Sequence, residues 1–211
     1  MSLPIKDYAY YCGIDPGHKG AFGVMNAAGT SVSASTMPMA NGEIDLAGLA
    51  QIFKHLARLP DCFVAIEWPE AFPGSFGGNP RDNDRFGRQK GYLEAMAHLI
   101  VGPDRYCRVP PTQWKGRLGL DGKTWEHAND RAANLFRMYY PDSHSLIVGP
   151  RGGLLDGPLD ALLIAHFVRT RGSVGMKSIA TRFGKDSVEA MAFILGGARR
   201  KRKSGRKVGD L

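Results

Sequence analysis

The apolar positions of this chain fall first into short dense runs and then into longer stretches with helical spacing. Residues 8–15 (YAYYCGID) form an apolar run ending in an acid, and 20–26 (GAFGVMN) follow after Pro16, Gly17, His18 and Lys19. Residues 31–37 (SVSASTM) alternate apolar and polar after the turn signal Ala27-Ala28-Gly29-Thr30. Such runs, bounded by turn residues, predict strands. Three strands with short connections predict an antiparallel meander. Over 44–59, Leu46, Leu49, Ile52, Phe53 and Leu56 lie on one stripe of a helix. The unbroken run 62–66 (CFVAI) predicts a strand covered on both faces.

A loop rich in Gly and Pro spans 69–84. Helical spacing returns over 85–101, with Tyr92, Leu93, Met96, Leu99 and Ile100 on one side. A short strand at 106–109 stops at Pro110 and Pro111. A polar segment with Gly116, Gly119 and Gly122 leads to a helix over about 125–139, and a strongly apolar helix spans 158–170. Strands first in a meander and then alternating with helices predict an α/β domain with a mixed sheet. That domain is assigned to residues 1–172. Residues 173–198 read as a helical extension: segments 177–183 and 187–195 flank Gly184, as in a helix-turn-helix or in a plain helical hairpin packed on the domain.

Composition bounds the functional classes. With 43% hydrophobic and 23% charged residues, the chain is neither collagen-like nor largely disordered. No stretch approaches the roughly 20 apolar residues of a membrane helix, and the first residues lack the apolar core of a signal peptide. The expectation is a protein that makes no membrane contact and stays where it is made. That is the cytoplasm, of a bacterial host if phage-encoded, or the nucleus if eukaryotic. Cys12, Cys62 and Cys107 are odd in number and sit in apolar runs, which predicts buried thiols rather than disulfides or a zinc site. The net charge is +8, yet residues 1–198 hold only +2 of it. Residues 199–207 carry seven cations, so 199–211 is read as a disordered basic tail suited to nucleic acid, with a solubilising tail or nuclear address as alternatives.

The acids carry the candidate chemistry. Asp15 ends the first strand, Glu67 follows the buried run 62–66, and Asp156 and Asp160 open the last helix, four apart on one face. Carboxylates at the ends of neighbouring parallel strands face the crevice where α/β sheets bind ligands. Three or four together repel one another. Hard divalent cations resolve that repulsion, and two of them suit an in-line phosphoryl displacement. The structural alternatives are a turn start at Asp15, a solvated strand end at Glu67, and capping or dipole roles for Asp156 and Asp160.

Three stretches resemble the acidic motifs of RuvC-type Holliday-junction resolvases, within the ribonuclease-H-like superfamily. They are Gly13-Ile14-Asp15-Pro16-Gly17, Ala65-Ile66-Glu67, and Leu159-Asp160-Ala161-Leu162-Leu163-Ile164-Ala165. Gly87-Arg88-Gln89-Lys90-Gly91, and Val109 to Lys115 with Gly119, Gly122 and Lys123, are similar to two further family segments. The resemblance spans roughly residues 10–170. It implies a ribonuclease-H-like mixed five-stranded sheet flanked by helices. It also implies Asp15, Glu67 and Asp160 as metal-binding acids, Mg²⁺ or Mn²⁺ with two ions per site, and a homodimer on a four-way junction. The family's spacing before the last acid lands on Gly157, and Asp156 sits one residue earlier, either a fourth ligand or a helix cap.

The loop 68–84 carries Trp68, Phe72 and Phe76, read either as a base-stacking wedge or as aromatics folded back on the core. Lys115 and Lys123 are read as phosphate-neutralising or as solvated lysines. Arg81, Arg85, Arg88 and Lys90 form a basic group suited to tracking a phosphate backbone. His18 reads as a turn residue and His166 as structural. The expected function is metal-dependent, structure-selective cleavage of branched DNA. The rivals are another ribonuclease-H-like nuclease acting on RNA, hybrid or flap substrates, and a non-catalytic DNA-binding scaffold.

Overall fold

The structure, a computed structural model, describes residues 7–69, 80–120 and 128–170. The 173–198 extension and the 199–211 tail lie outside the described residues. The predicted meander is present as β1 (Tyr10–Asp15), β2 (Ala21–Asn26) and β3 (Val32–Thr36), each antiparallel to its neighbour. A two-stranded hairpin follows, β4 (Met39–Ala40) with β5 (Glu43–Ile44). The stripe over 44–59 becomes α1 (Leu46–Arg58), capped by the Asp45 carboxylate, which accepts from the Ala47 amide at 3.0 Å. Then come β6 (Cys62–Glu67), α2 (Pro80–Met96), a π-turn at Ala97–Val101 and β7 (Tyr106–Val109). Three helices complete the order: α3 (Pro111–Leu118), α4 (Ala128–Tyr139) and α5 (Asp156–Arg169). The main sheet runs β3-β2-β1-β6-β7, with β6 parallel to both β1 and β7. It is the expected mixed five-stranded sheet flanked by helices.

Several elements depart from the periodicity reading, each for a local reason. The β4–β5 hairpin is too short to show alternation, yet its turn residues Asn41 and Gly42 adopt positive φ of 52° and 78°. Asn-Gly is the pair such a turn requires. Helix α2 begins at Pro80, inside the stretch read as loop, because its first turns are polar and carry no apolar stripe. Helix α3 replaces the expected polar connector. It buries only Trp114 and Leu118, and its Gly119 is the left-handed C-cap (φ 73°) rather than a break in a loop. Helix α5 begins two residues early, at Asp156.

Period-two alternation sorts the sheet into two core layers. Tyr11, Met25, Phe63, Ala65 and Val109 face α3, α4 and α5. Cys12, Ile14, Phe22, Cys62, Val64 and Ile66 face α1 and α2. Cys12 and Cys62 are buried and Cys107 partly buried, and none is bridged. His166 is fully buried, its Nδ1 2.7 Å from the Tyr140 hydroxyl, in the structural role expected of it.

Helix α5 lies directly on β1 and β2 because both strands place glycine beneath it. A Cβ on Gly13 would overlap the Ala161 carbonyl oxygen, and one on Gly23 would come within 2.6 Å of the Leu162 nitrogen. These are backbone atoms inside a helix and have little room to give. Gly13→Ala is therefore expected to cost about 2–3 kcal/mol in urea denaturation. Gly87→Ala, on the exposed side of α2 with nothing within 4 Å, is expected to gain about 0.5–1 kcal/mol. Equal midpoints for the two variants would contradict this packing.

Candidate active site

The alternation that builds the core also aims the acids. Asp15 follows Tyr11 and Gly13 on the face of β1 covered by α5, and Glu67 follows Phe63 and Ala65 on the same face of β6. Asp15 and Glu67 lie one step beyond the Ile14–Ile66 pair of the parallel register. Asp160 reaches them from the first turns of α5. Each of the three is more buried than a carboxylate usually tolerates. Glu67 is only 8% exposed, and the Asp160 side chain 24%.

Helix α3 completes the cluster. Lys115 Nζ donates to Asp160 Oδ2 at 3.0 Å, and the indole N–H of Trp114 donates to Glu67 Oε1 at 2.9 Å. Sequence reading singled out Lys115 but missed Trp114. The available signal was its place beside Lys115 after the helix-starting Pro110-Pro111. Trp114 is fully buried, and nothing in the local pattern says that its N–H faces an acid.

The electrostatics follow from burial and crowding. Desolvation, then the like charges of Glu67 and Asp160, push the Asp15 carboxyl up to about 8, with Lys115 acting in the opposite direction. Burial also raises Glu67, against the pull of Lys115 and the Trp114 hydrogen bond. Burial raises Asp160, and Lys115 opposes it. The Lys115 ammonium loses hydration, but Asp160, Glu67 and Asp15 more than offset that, leaving it above the usual lysine range. Asp15 and Glu67 share a hydrogen bond, and burial holds both above the usual carboxylate range.

Asp156 is held by a different partner. Its Oδ1 accepts from Asn129 Nδ2 at 2.9 Å, tying the start of α5 to α4. Its charge still raises Asp160. Position 157 cannot supply an acid instead: a Cβ there would overlap the Lys19 carbonyl oxygen, so α5 enters the site over the β1–β2 turn only with glycine at that point.

The expected nucleic-acid contacts are scattered. Trp68 packs on the α1/α2 core layer, with Arg108 Cζ 4.2 Å and Lys90 Nζ 4.8 Å from its ring centroid. Lys90 also donates to the Pro69 carbonyl at 3.3 Å. Arg85 is tied to the β4–β5 hairpin, pairing with Glu43 at 3.2 Å and donating to the Gly42 carbonyl. Arg88 is half exposed and pairs with Asp84 at 3.3 Å on the same helix. Phe72, Phe76 and Lys123 lie outside the described residues. A cavity of about 660 Å³ between β3 and α1, lined by Tyr10, Ser33, Ser35, Gln51 and His55, holds none of the acids.

No family model and no curated protein sequence matches this chain. Solved structures do match it. One, Thermus thermophilus RuvC in complex with a Holliday-junction substrate, aligns at 17% identity with a TM-score of 0.51, covering 81% of this chain and 98% of that one. Another Thermus thermophilus RuvC structure aligns at 21% identity with a TM-score of 0.48, covering 83% of this chain and 96% of that one. The fold is RuvC-like. The Asp15, Glu67 and Asp160 positions suggested by the motif resemblance meet at one end of this sheet.

Among the described residues, no three acidic, histidine or cysteine side chains form a ready-made metal cage. The donor chemistry nonetheless fits a hard divalent ion. All three acids offer carboxylate oxygens, and burial followed by the charges of Glu67 and Asp160 holds Asp15 well above the usual carboxylate range.

This shift has a measurable sign. A carboxyl raised by folding takes up a proton that the unfolded chain releases, so stability falls as pH rises through that window. In EDTA, the protein is expected to lose on the order of 1–3 kcal/mol of stability between pH 5 and pH 8 through Asp15. Asp15→Asn should flatten most of that slope. Denaturant titrations across the pH range check it, and an unchanged slope in the variant would place the proton elsewhere.

Proposed function

We propose that this chain is a metal-dependent endonuclease that hydrolyses phosphodiester bonds in branched DNA, with the four-way junction as its preferred substrate. The observation that carries this reading is the meeting of Asp15, Glu67 and Asp160 beside Lys115 on a RuvC-like fold. The solved neighbour bound to a Holliday-junction substrate supports branched DNA as the substrate class.

In this reading Asp15, Glu67 and Asp160 hold Mg²⁺ or Mn²⁺. The bound ion would activate a water and stabilise the charge that develops in phosphoryl displacement. Lys115 fixes the Asp160 carboxylate and, with its side chain 37% exposed, also faces incoming phosphate. Arg88, half exposed near the middle of α2, would track the backbone. Asp156 orients α5 through Asn129 rather than entering the ion's coordination.

Asp15→Asn, Glu67→Gln and Asp160→Asn are each expected to lower cleavage of a synthetic four-way junction at least about a thousandfold while leaving its binding intact. Binding depends on cations at phosphates, and cleavage on the acids. Full activity in all three variants would refute the reading. Cruciform, flap and RNA–DNA hybrid substrates assayed in parallel distinguish junction cutting from the other activities of such a site.

A junction presents two equivalent strands, which suits a symmetric pair of sites. We assign the dimer contact to the exposed side of α2 and its π-turn, where Tyr92, Ala95 and Leu99 line up and Leu99 is 80% exposed. Leu99→Glu should convert the protein to a monomer in sedimentation equilibrium, and paired incisions should give way to single nicks. A dimer of unchanged affinity would exclude this face.

A further inference from the structure

Trp114 is the one fully buried aromatic side chain among the described residues whose hydrogen bond ends on a site acid. Its position is set by the chain around it. The Trp68 amide donates to the Val109 carbonyl at 2.8 Å, extending the β6–β7 ladder one residue past Glu67. The chain then turns at Pro110-Pro111 into α3, so the first turns of that helix run beside Glu67. Trp114 points into the core layer under α5, and Lys115, the next residue, points at Asp160.

An indole offers one donor and no acceptor. This one is fully buried, so it has no route to substrate or solvent; it bears on the site through its hydrogen bond to Glu67 and through its ring, whose centroid lies 4.8 Å from Lys115 Nζ. A carboxylate accepts at both oxygens, and here Oε1 is committed to the indole at 2.9 Å. That bond restricts the rotation of the carboxylate plane, and Asp15 is the second hydrogen-bond partner of the same carboxylate.

We infer that Trp114 is a positioning residue that pre-orients Glu67 for cation binding. The inference rests on the metal-dependent reading of the site. Loss of a hydrogen bond that orients a metal ligand commonly weakens metal binding by about 10–100-fold. Trp114→Phe keeps an aromatic ring in the core and removes the donor together with part of the buried ring volume.

The test uses full-length protein and Mn²⁺, with free Mn²⁺ read by electron paramagnetic resonance. Wild type is expected to bind Mn²⁺ in a manner abolished by Asp15→Asn. Trp114→Phe should bind about 10–100-fold more weakly while melting cooperatively. Cleavage by Trp114→Phe should need correspondingly more metal and recover at saturating metal, a change in apparent metal affinity rather than in the maximal rate. Equal Mn²⁺ affinity in wild type and Trp114→Phe would overturn the inference and leave the nuclease reading standing. Absence of Asp15-dependent Mn²⁺ binding in wild type would overturn both.

A second readout does not depend on the variant folding. The chain has three tryptophans, Trp68, Trp114 and Trp125. Trp68→Phe and Trp125→Phe therefore assign the Trp114 indole N–H in a ¹⁵N spectrum by elimination. That resonance should shift on Mg²⁺ titration in wild type and stay still in Asp15→Asn. An indole signal that ignores Mg²⁺ in wild type would overturn the inference.

Discussion

The site depends on how close one helix backbone can come to two strands. Gly13 and Gly23 leave no side chain between the sheet and α5, and Gly157 does the same between α5 and the β1–β2 turn. Helix and sheet therefore meet at backbone contact. With larger residues there, α5 would stand further off and Asp160 would withdraw from Asp15 and Glu67. The three glycines contribute no chemistry, yet they set the distance at which the chemistry is possible.

That closeness has an electrostatic cost. Three carboxylates are brought into a partly dry crevice with a single ammonium, Lys115, in contact with one of them. Burial and the remaining repulsion hold Asp15 well above the usual carboxylate range. A site made only for stability would pair or replace such acids. The proposed cation would relieve that repulsion. Helix α3 is the counterweight, since two of its consecutive residues satisfy two of the three carboxylates.

The sheet and the acids were legible in the sequence for the same reason. Strand periodicity is short, Asp15 and Glu67 stand at the ends of apolar runs and Asp160 at the start of one, so these signals are local. What escaped was tertiary. Helix α3 has only two buried residues, and its glycines read as loop punctuation. The Asn41-Gly42 turn was visible but lacked long strands on either side. The role of Asp156 depends on Asn129, 27 positions away, and the surroundings of Trp68 depend on Lys90 and Arg108. The motif resemblance pointed to Asp15, Glu67 and Asp160, while spacing alone left Asp156 open between ligand and cap. The structure adds the Asn129 contact at Asp156.

The order of the site residues along the chain also governs when the site can exist. Asp15 and Glu67 lie in the first third, Trp114 and Lys115 near the middle, and Asp160 in the last described helix. Domains generally fold as units during synthesis. A nascent chain that ends before α5 lacks Asp160 and the helix that covers β1 and β2. The acids cannot meet until α5 has been made and has docked on the two glycines. Assembly of the acid cluster thus marks completion of the domain, and a product of synthesis stalled before α5 lacks both the third acid and the layer that covers one face of the sheet.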